Sequence, residues 1–295
     1  MKREDETFQL DRDVVKKARR SSYRKMIGMS AIVLFVGGLA VLVLLGAWNS
    51  WSLHRTLVEE ELRASVYGAN RHVGTFDESV GPVTARAETV VYSLVRGRPV
   101  DHERWATDAS NRTLLHDGET GGRVSQQRGR KGKQLYVPGV TYEVMDDDQS
   151  KLERMPQTTV AEVAVSLTKE ESVESWLRRV PDGVTPLWVW FGSQGANEED
   201  EPVTDEWALG MSLVDDAGVP YDDPVATWIE DATRYVDATD DAFVREQLER
   251  VTKGNVAVTG AVVTGRPNVL ATWNDPSIRT MSIGAVIDDY EEETT

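Results

Sequence analysis

The side chains able to do acid–base, nucleophilic or metal chemistry are few and scattered. His54, His72, His102 and His116 are the chain's four histidines, and none stands at i, i+3 or i+4 from another. No helix can therefore aim two of them at one metal ion, as an H-E-x-x-H zinc site does. The absence of cysteine removes disulfides, thiolate zinc sites, iron–sulfur clusters and thiol nucleophiles together. Ser166-Leu-Thr-Lys169 matches the S-x-x-K pattern of penicillin-recognising enzymes, but that chemistry needs its serine at a helix start, with S-D-N and K-T-G elements. Ser166 closes a predicted strand, and neither partner element occurs. The acidic runs Asp146–Asp148 and Glu198–Glu201 lack the spaced ligands and central glycine of a calcium loop and read as solvated surface. The expectation is a chain that is not an enzyme and needs no cofactor or metal.

Charge is divided unevenly. Residues 1–25 carry nine Lys/Arg against five Asp/Glu, whereas the remainder carries 24 against 44 within an overall net charge of −16. An outer part this acidic repels phosphate backbones, so direct nucleic-acid binding is not expected. Between the two lies a stretch with no ionisable residue, Met26 to Leu53, whose apolar heart Ile27–Trp48 has 22 residues. As a helix it measures roughly 33 Å, enough for a hydrocarbon layer of roughly 30 Å. Inside lipid every backbone polar group must be satisfied within the segment, which demands a helix. The run is longer than a secretory signal's apolar region and ends in bulky Trp48 rather than a small-x-small cleavage site, so the expectation is a permanent anchor. Trp48 and Trp51 suit its outer interface. Lys16, Lys17, Arg19, Arg20, Arg24 and Lys25 crowd the amino side, against Arg55 and Arg63 beyond, which puts the amino terminus in the cytoplasm. Gly28, Gly37, Gly38, Ala40 and Gly46 would permit close packing of a second membrane helix.

The cytoplasmic tail has its own pattern. Leu10, Val14 and Ala18 recur at i, i+4 and i+8, with Val15 beside them and Phe8 just ahead. Asp11 and Asp13 near the start and the basic residues toward the end agree with a helix dipole. Phe8, Leu10, Val14, Val15 and Ala18 are thus candidate partner-binding residues, for a groove on another protein or for the inner leaflet.

Beyond the membrane, residues 52–66 continue at helical spacing through Leu53, Leu57, Val58, Leu62 and Val66 and read as a stalk. Thr89–Val95 reads as a strand, and residues 117–134 as a long solvated loop with a basic cluster of Arg123, Arg128, Arg130, Lys131 and Lys133. From about residue 157 the pattern becomes strand (Thr159–Leu167), helix (Glu170–Val180), apolar strand (Leu187–Phe191), strand near 206–214, amphipathic helix (Asp240–Lys253), strand (Val256–Val263), short helix opened by Pro267, and strand (Ile278–Val286). The expected fold is a single-pass transmembrane helix plus one or more extracytoplasmic α+β domains, with a mixed sheet and packed helices. The divisions are a basic tail at 1–25, a membrane helix at 26–50, a juxtamembrane region at 51–150, an α/β domain at 157–287 and an acidic tail at 288–295.

Several stretches carry a family likeness. Gly260-Ala-Val-Val-Thr-Gly265, then Arg266-Pro267 and Asn274-Asp-Pro276 through Gly284-Ala-Val, resemble the closing strand, turn, helix and strand of membrane-bound sigma-factor regulators of Gram-positive bacteria. Ala161-Glu-Val-Ala-Val-Ser166 and Leu187-Trp-Val-Trp190 resemble earlier strands of the same domain. Ile27-Gly-Met-Ser30 and Ala69-Asn70 resemble the amino-terminal domain. The resemblance implies an anti-sigma factor whose partner is an extracytoplasmic-function sigma factor and whose outer domain senses the envelope. Better-known members grip the sigma factor with a much larger cytoplasmic domain, often zinc-bearing. With 25 cytoplasmic residues and no cysteine, this chain would need a short helix or a partner subunit. The alternative is an accessory envelope protein whose anchored outer domain binds a protein or ligand.

Overall fold

The computed structural model describes residues 12–108, 124–126, 132–193 and 201–289. Helix α1 (Arg12–Val66) is unbroken for 55 residues, roughly 80 Å at the usual rise. It contains an apolar window long enough to cross a membrane, and that window is not buried by the rest of the protein. After Trp48 the environment changes. Leu53, Leu57, Leu62 and Val66 are buried, so the expected stalk is a packed part of the domain.

A first antiparallel sheet follows, from β1 (His72–Val73), β2 (Asp77–Val80), β3 (Ala85–Val95), β4 (Arg98–Asp108) and β5 (Val124–Gln126). Along β3 the period of two is plain: Ala85, Ala87, Thr89 and Val91 turn inward, Arg86 and Glu88 outward, as a half-buried strand requires. Leu53 and Leu57 of α1 lie on Ala85 and Ala87. The tight turn from β3 to β4 puts Arg96 and Gly97 at positive φ, the conformation that matches hairpin twist.

The larger sheet has the order β10-β8-β11-β7-β12, formed by β7 (Thr159–Ser172), β8 (Val184–Ser193), β10 (Ala208–Ser212), β11 (Ala257–Gly265) and β12 (Ile278–Asp288). One face meets helices α4 (Pro224–Thr239) and α5 (Ala242–Thr252), the short α3 (Val173–Leu177) and α6 (Pro267–Thr272), and the end of α1. Leu62 and Val66 share this core with Val163, Val165, Val189, Val263, Trp228 and Val244. The other face, with Ala164, Trp188, Trp190 and Val262, is covered by Ala69, Leu135 and Val203. Here β6 (Gln134–Leu135) pairs with β9 (Val203–Thr204). The remaining helix is α2 (Gln149–Leu152).

Several expectations are corrected. The ladders are antiparallel rather than mixed. The helical connections do join strands of like direction, β7 to β8 and β11 to β12, but an antiparallel strand is interleaved between the members of each pair. The helix expected over Glu170–Val180 shrinks to α3, because β7 runs on to Ser172, paired there with Ala257. Long-range ladder bonds override the local helical spacing, and Ser172 then caps α3 through Ser175 N at 3.2 Å. Helix α4 has no counterpart in the sequence reading. Asp147 and Asp148 are not merely solvated: their carboxylates accept from Met281 N at 3.1 Å and Ile283 N at 3.0 Å, clipping the open edge of β12, where unpaired backbone invites aggregation.

Candidate functional site

Near the point where α1 gives way to β1, Arg71, Lys133, Glu103, Glu162, Asp205 and Glu206 form one connected set of ion pairs. Lys133, expected in a solvated loop, is 3 % exposed and pairs at 2.8 Å with Glu162, which is fully buried. Nothing around Lys133 announces this, since the β6–β9 pairing and Glu162 lie far off in sequence. Arg123, Arg128, Arg130 and Lys131 of the same cluster lie outside the described residues. Glu162 Oε1 also accepts from Asn70 Nδ2 at 2.6 Å, and its Oε2 accepts from Ala285 N at 3.0 Å. Lys133 donates further to Ser93 Oγ at 3.3 Å, with Asp205 at 3.8 Å. The carboxylate leaves no room for a neighbouring side chain: a Cβ on Gly284 would sit 2.4 Å from Glu162 Oε2. Ala69-Asn70, Ala161-Glu162 and Gly284-Ala285, three stretches quoted above for a family likeness, thus converge on one buried ion pair. Burying charge is costly unless it is paired and hydrogen-bonded, and here Lys133, Asn70 Nδ2 and Ala285 N all donate to the carboxylate.

Asn70 occupies the left-handed region at φ 57°, which asparagine tolerates better than most residues. Its Nδ2 is committed to Glu162 and to Leu94 O at 2.9 Å, so its Oδ1 faces outward, 3.4 Å from His72 Nε2. On the other side, His72 Nδ1 lies 2.7 Å from Asp216 Oδ1. Both contacts are acceptors, and an imidazole ring donates to both only when doubly protonated. The hydrogen bond from His72 holds the Asp216 carboxyl below the usual carboxylate value, against the opposing effect of burial. Arg71 bridges the two sheets' surroundings, to Glu103 at 2.8 Å and Glu206 at 3.1 Å.

His72 forms part of the wall of a cleft of about 300 Å³ between the last turns of α1 and helix α4, with Leu62, Ser65, Trp228, Tyr221 and Asp231 among its lining. The volume is at the lower end of small-molecule sites. Burial raises the Asp231 carboxyl above its ordinary value, partly offset by Arg234. Tyr67, at the end of α1, donates to Asp241 at 3.3 Å, and Asp241 in turn caps α5 through Phe243 N and Val244 N. Burial, then the Asp241 charge, pushes the Tyr67 hydroxyl well above the tyrosine range. Among the described residues no cluster of His, Asp and Glu could hold a metal ion.

Of the sequence-derived binding residues, Phe8 and Leu10 lie outside the described residues. Val14 falls in the first turn of α1, followed by Val15 and Ala18, both exposed. His54 is exposed on α1, away from the cleft. The cleft itself escaped the sequence reading. Its best signal was Asp223-Pro224, a cap followed by proline at the first helical position, then Trp228, Ala232, Tyr235 and Val236 at helical spacing. No family model, curated protein or solved structure matches this chain.

Proposed function

We propose that this chain is a membrane-anchored signalling protein, a regulator of an extracytoplasmic-function sigma factor, with its amino terminus in the cytoplasm and its α+β domain outside. The observation that carries the signalling half of this reading is the continuity of α1. One helix runs from the basic tail through the apolar stretch into the domain's main core, where Leu62 and Val66 are buried. A mere tether is served by a flexible linker; a conduit needs a stiff one, and 55 helical residues are stiff. The cleft between α1 and α4 gives an outer event direct purchase on that helix: closure or filling there bears on Leu62 and Ser65. The choice of a sigma factor as partner rests on the resemblance of Gly260–Gly265, Gly284-Ala-Val and the related stretches, and the apolar stripe of Leu10, Val14, Val15 and Ala18, with Phe8 ahead, is the surface for it. The positive-inside asymmetry supports the orientation.

The test is a reporter for a sigma-dependent promoter. Leu10→Asp with Val14→Asp is expected to derepress it while the protein stays at normal abundance in the membrane. Gly-Ser-Gly-Ser inserted after Ser50, which breaks the helix between membrane and domain, is expected to make the promoter deaf to envelope stress. If both leave the promoter unchanged, the tail and the conduit have no role and the accessory envelope reading takes over.

A further inference from the structure

Helix α1 leaves its apolar stretch at Trp48, and one residue later stands Asn49, a fully buried amide. Its Nδ2 donates to Gly81 O at 2.8 Å. Gly81 opens the turn between β2 and β3, closed by Gly81 N donating to Thr84 O at 2.7 Å. The hairpin lies along α1, since Leu57 and Leu53 pack with Ala87 and Ala85 and Asn49 meets the tip. Descending the helix is therefore descending the hairpin, and its tip arrives at the level where the apolar stretch begins. That tip is Val80-Gly81-Pro82-Val83, with Val80 42 % and Val83 58 % exposed. It carries no charge, and the polar groups of Gly81 are both satisfied while Pro82 has no N–H to satisfy. The shaft behind it is charged on its exposed side, with Asp77, Glu78, Arg86 and Glu88.

The far side of α1 matches. At roughly 100° per residue, Asn49, Leu53 and Leu57 share one side of the helix, and Trp48 and Trp51 take the opposite one. The two rings lie 5.4 Å apart and both are more than half exposed. Residues 48 to 51 span about 5 Å along the axis, so the tryptophan pair and the hairpin tip flank the helix at one height.

The geometry points to the Val80–Val83 hairpin tip as a second membrane contact, seated in the interfacial layer of the outer leaflet opposite Trp48 and Trp51. The two make a collar that fixes the tilt of the domain on the bilayer. Lipid is the occupant because the tip is continuous with the apolar surface of α1, and because charge begins only behind it. This inference rests on the reading of α1 as a membrane anchor.

The absence of cysteine allows single nitroxide labels. Full-length protein bearing Val83→Cys, Glu78→Cys or Phe35→Cys is reconstituted in vesicles of phosphatidylcholine with phosphatidylglycerol. Collision with oxygen, which partitions into lipid, is compared with collision with a water-soluble nickel complex. The oxygen-to-nickel ratio is expected to be several-fold higher at Val83 than at Glu78, and highest at Phe35. A Val83 label as aqueous as Glu78, with Phe35 in lipid, overturns the hairpin contact and leaves the anchor standing. A Phe35 label as aqueous as Glu78 overturns the anchor and the hairpin contact with it.

Discussion

The two halves of α1 share one backbone and differ in what surrounds them. From Met26 to Trp48 the helix is apolar on every side and exposed nearly throughout. From Leu53 to Val66 it is amphipathic, with a buried stripe of Leu53, Leu57, Leu62 and Val66 against exposed His54, Arg55 and Glu61. The first pattern has no preferred side and suits a solvent that is apolar all round; the second has one side for a core and one for water. The difference teaches that no joint separates the apolar half from the domain, because the helix changes surroundings without changing conformation. The first half is long and apolar enough to cross a membrane and the second is held by side-chain contacts, so the two can be disturbed separately.

The largest effect is expected on removing the second half of α1 together with the rest of the chain up to residue 156. Residues 157–287 expressed alone lack Leu62, Val66 and Leu152 from the main core, the Asp147–Asp148 clip on β12, and the bond from Gly68 N to Ala208 O on β10 at 3.0 Å. Thermal unfolding followed by circular dichroism is expected to lose its cooperative transition, with aggregation through the bared edges. A single sharp transition would mean that the core is complete without α1.

Next is Lys133→Met, which strands Glu162 as a buried, unpaired carboxylate. A loss of about 3–5 kcal/mol is expected in chemical unfolding of the domain. Pairing it with Glu162→Met should recover most of that loss, which a simple packing defect would not.

Phe35→Asp tests the first half. It is expected to cost roughly 3 kcal/mol in membrane insertion, read from the inserted fraction, while the unfolding midpoint of the domain stays put. A shift of that midpoint would mean that the exposed half of α1 is packed on protein.

The smallest effect belongs to Asp231, beside the second half. Its carboxyl has a raised value in the fold, so what it contributes to stability is present below its unfolded value and is lost as pH rises through the folded one. Asp231→Asn is expected to raise the melting temperature slightly at neutral pH, with the gain fading toward acid. An equal gain at both pH values would place its origin elsewhere than in ionisation.

Much of this was legible locally. Thr159–Leu167, Leu187–Phe191, Asp240–Lys253 and Pro267 announced their elements through period, apolar content and caps. Helix α4 went unread although Asp223-Pro224 and its apolar spacing were present. The end of β7 differs from expectation because Glu171 and Ser172 fit a helix pattern locally and pair with Val258 and Ala257 in the ladder. The candidate site was hidden for a different reason. Lys133 stands among glycines, glutamines and basic residues, and Asp147 and Asp148 look like any acidic turn.

The sequence by itself determined that Met26–Leu53 is an uncharged apolar run long enough, as a helix, to cross a membrane, because that follows from residue type and number alone. It also determined the strands over Thr159–Leu167, Leu187–Phe191 and Val256–Val263 and the amphipathic helix over Asp240–Lys253, because side-chain period is a property of neighbours along the chain. Tertiary structure alone decided that β11 enters between β8 and β7, and that Lys133 reaches Glu162. It alone decided that Asn70 and Gly284 make room and hydrogen bonds for that pair, and that α1 and α4 enclose a cleft. Those facts depend on which distant residues share a space, and a buried charge is tolerable only once all its partners have arrived.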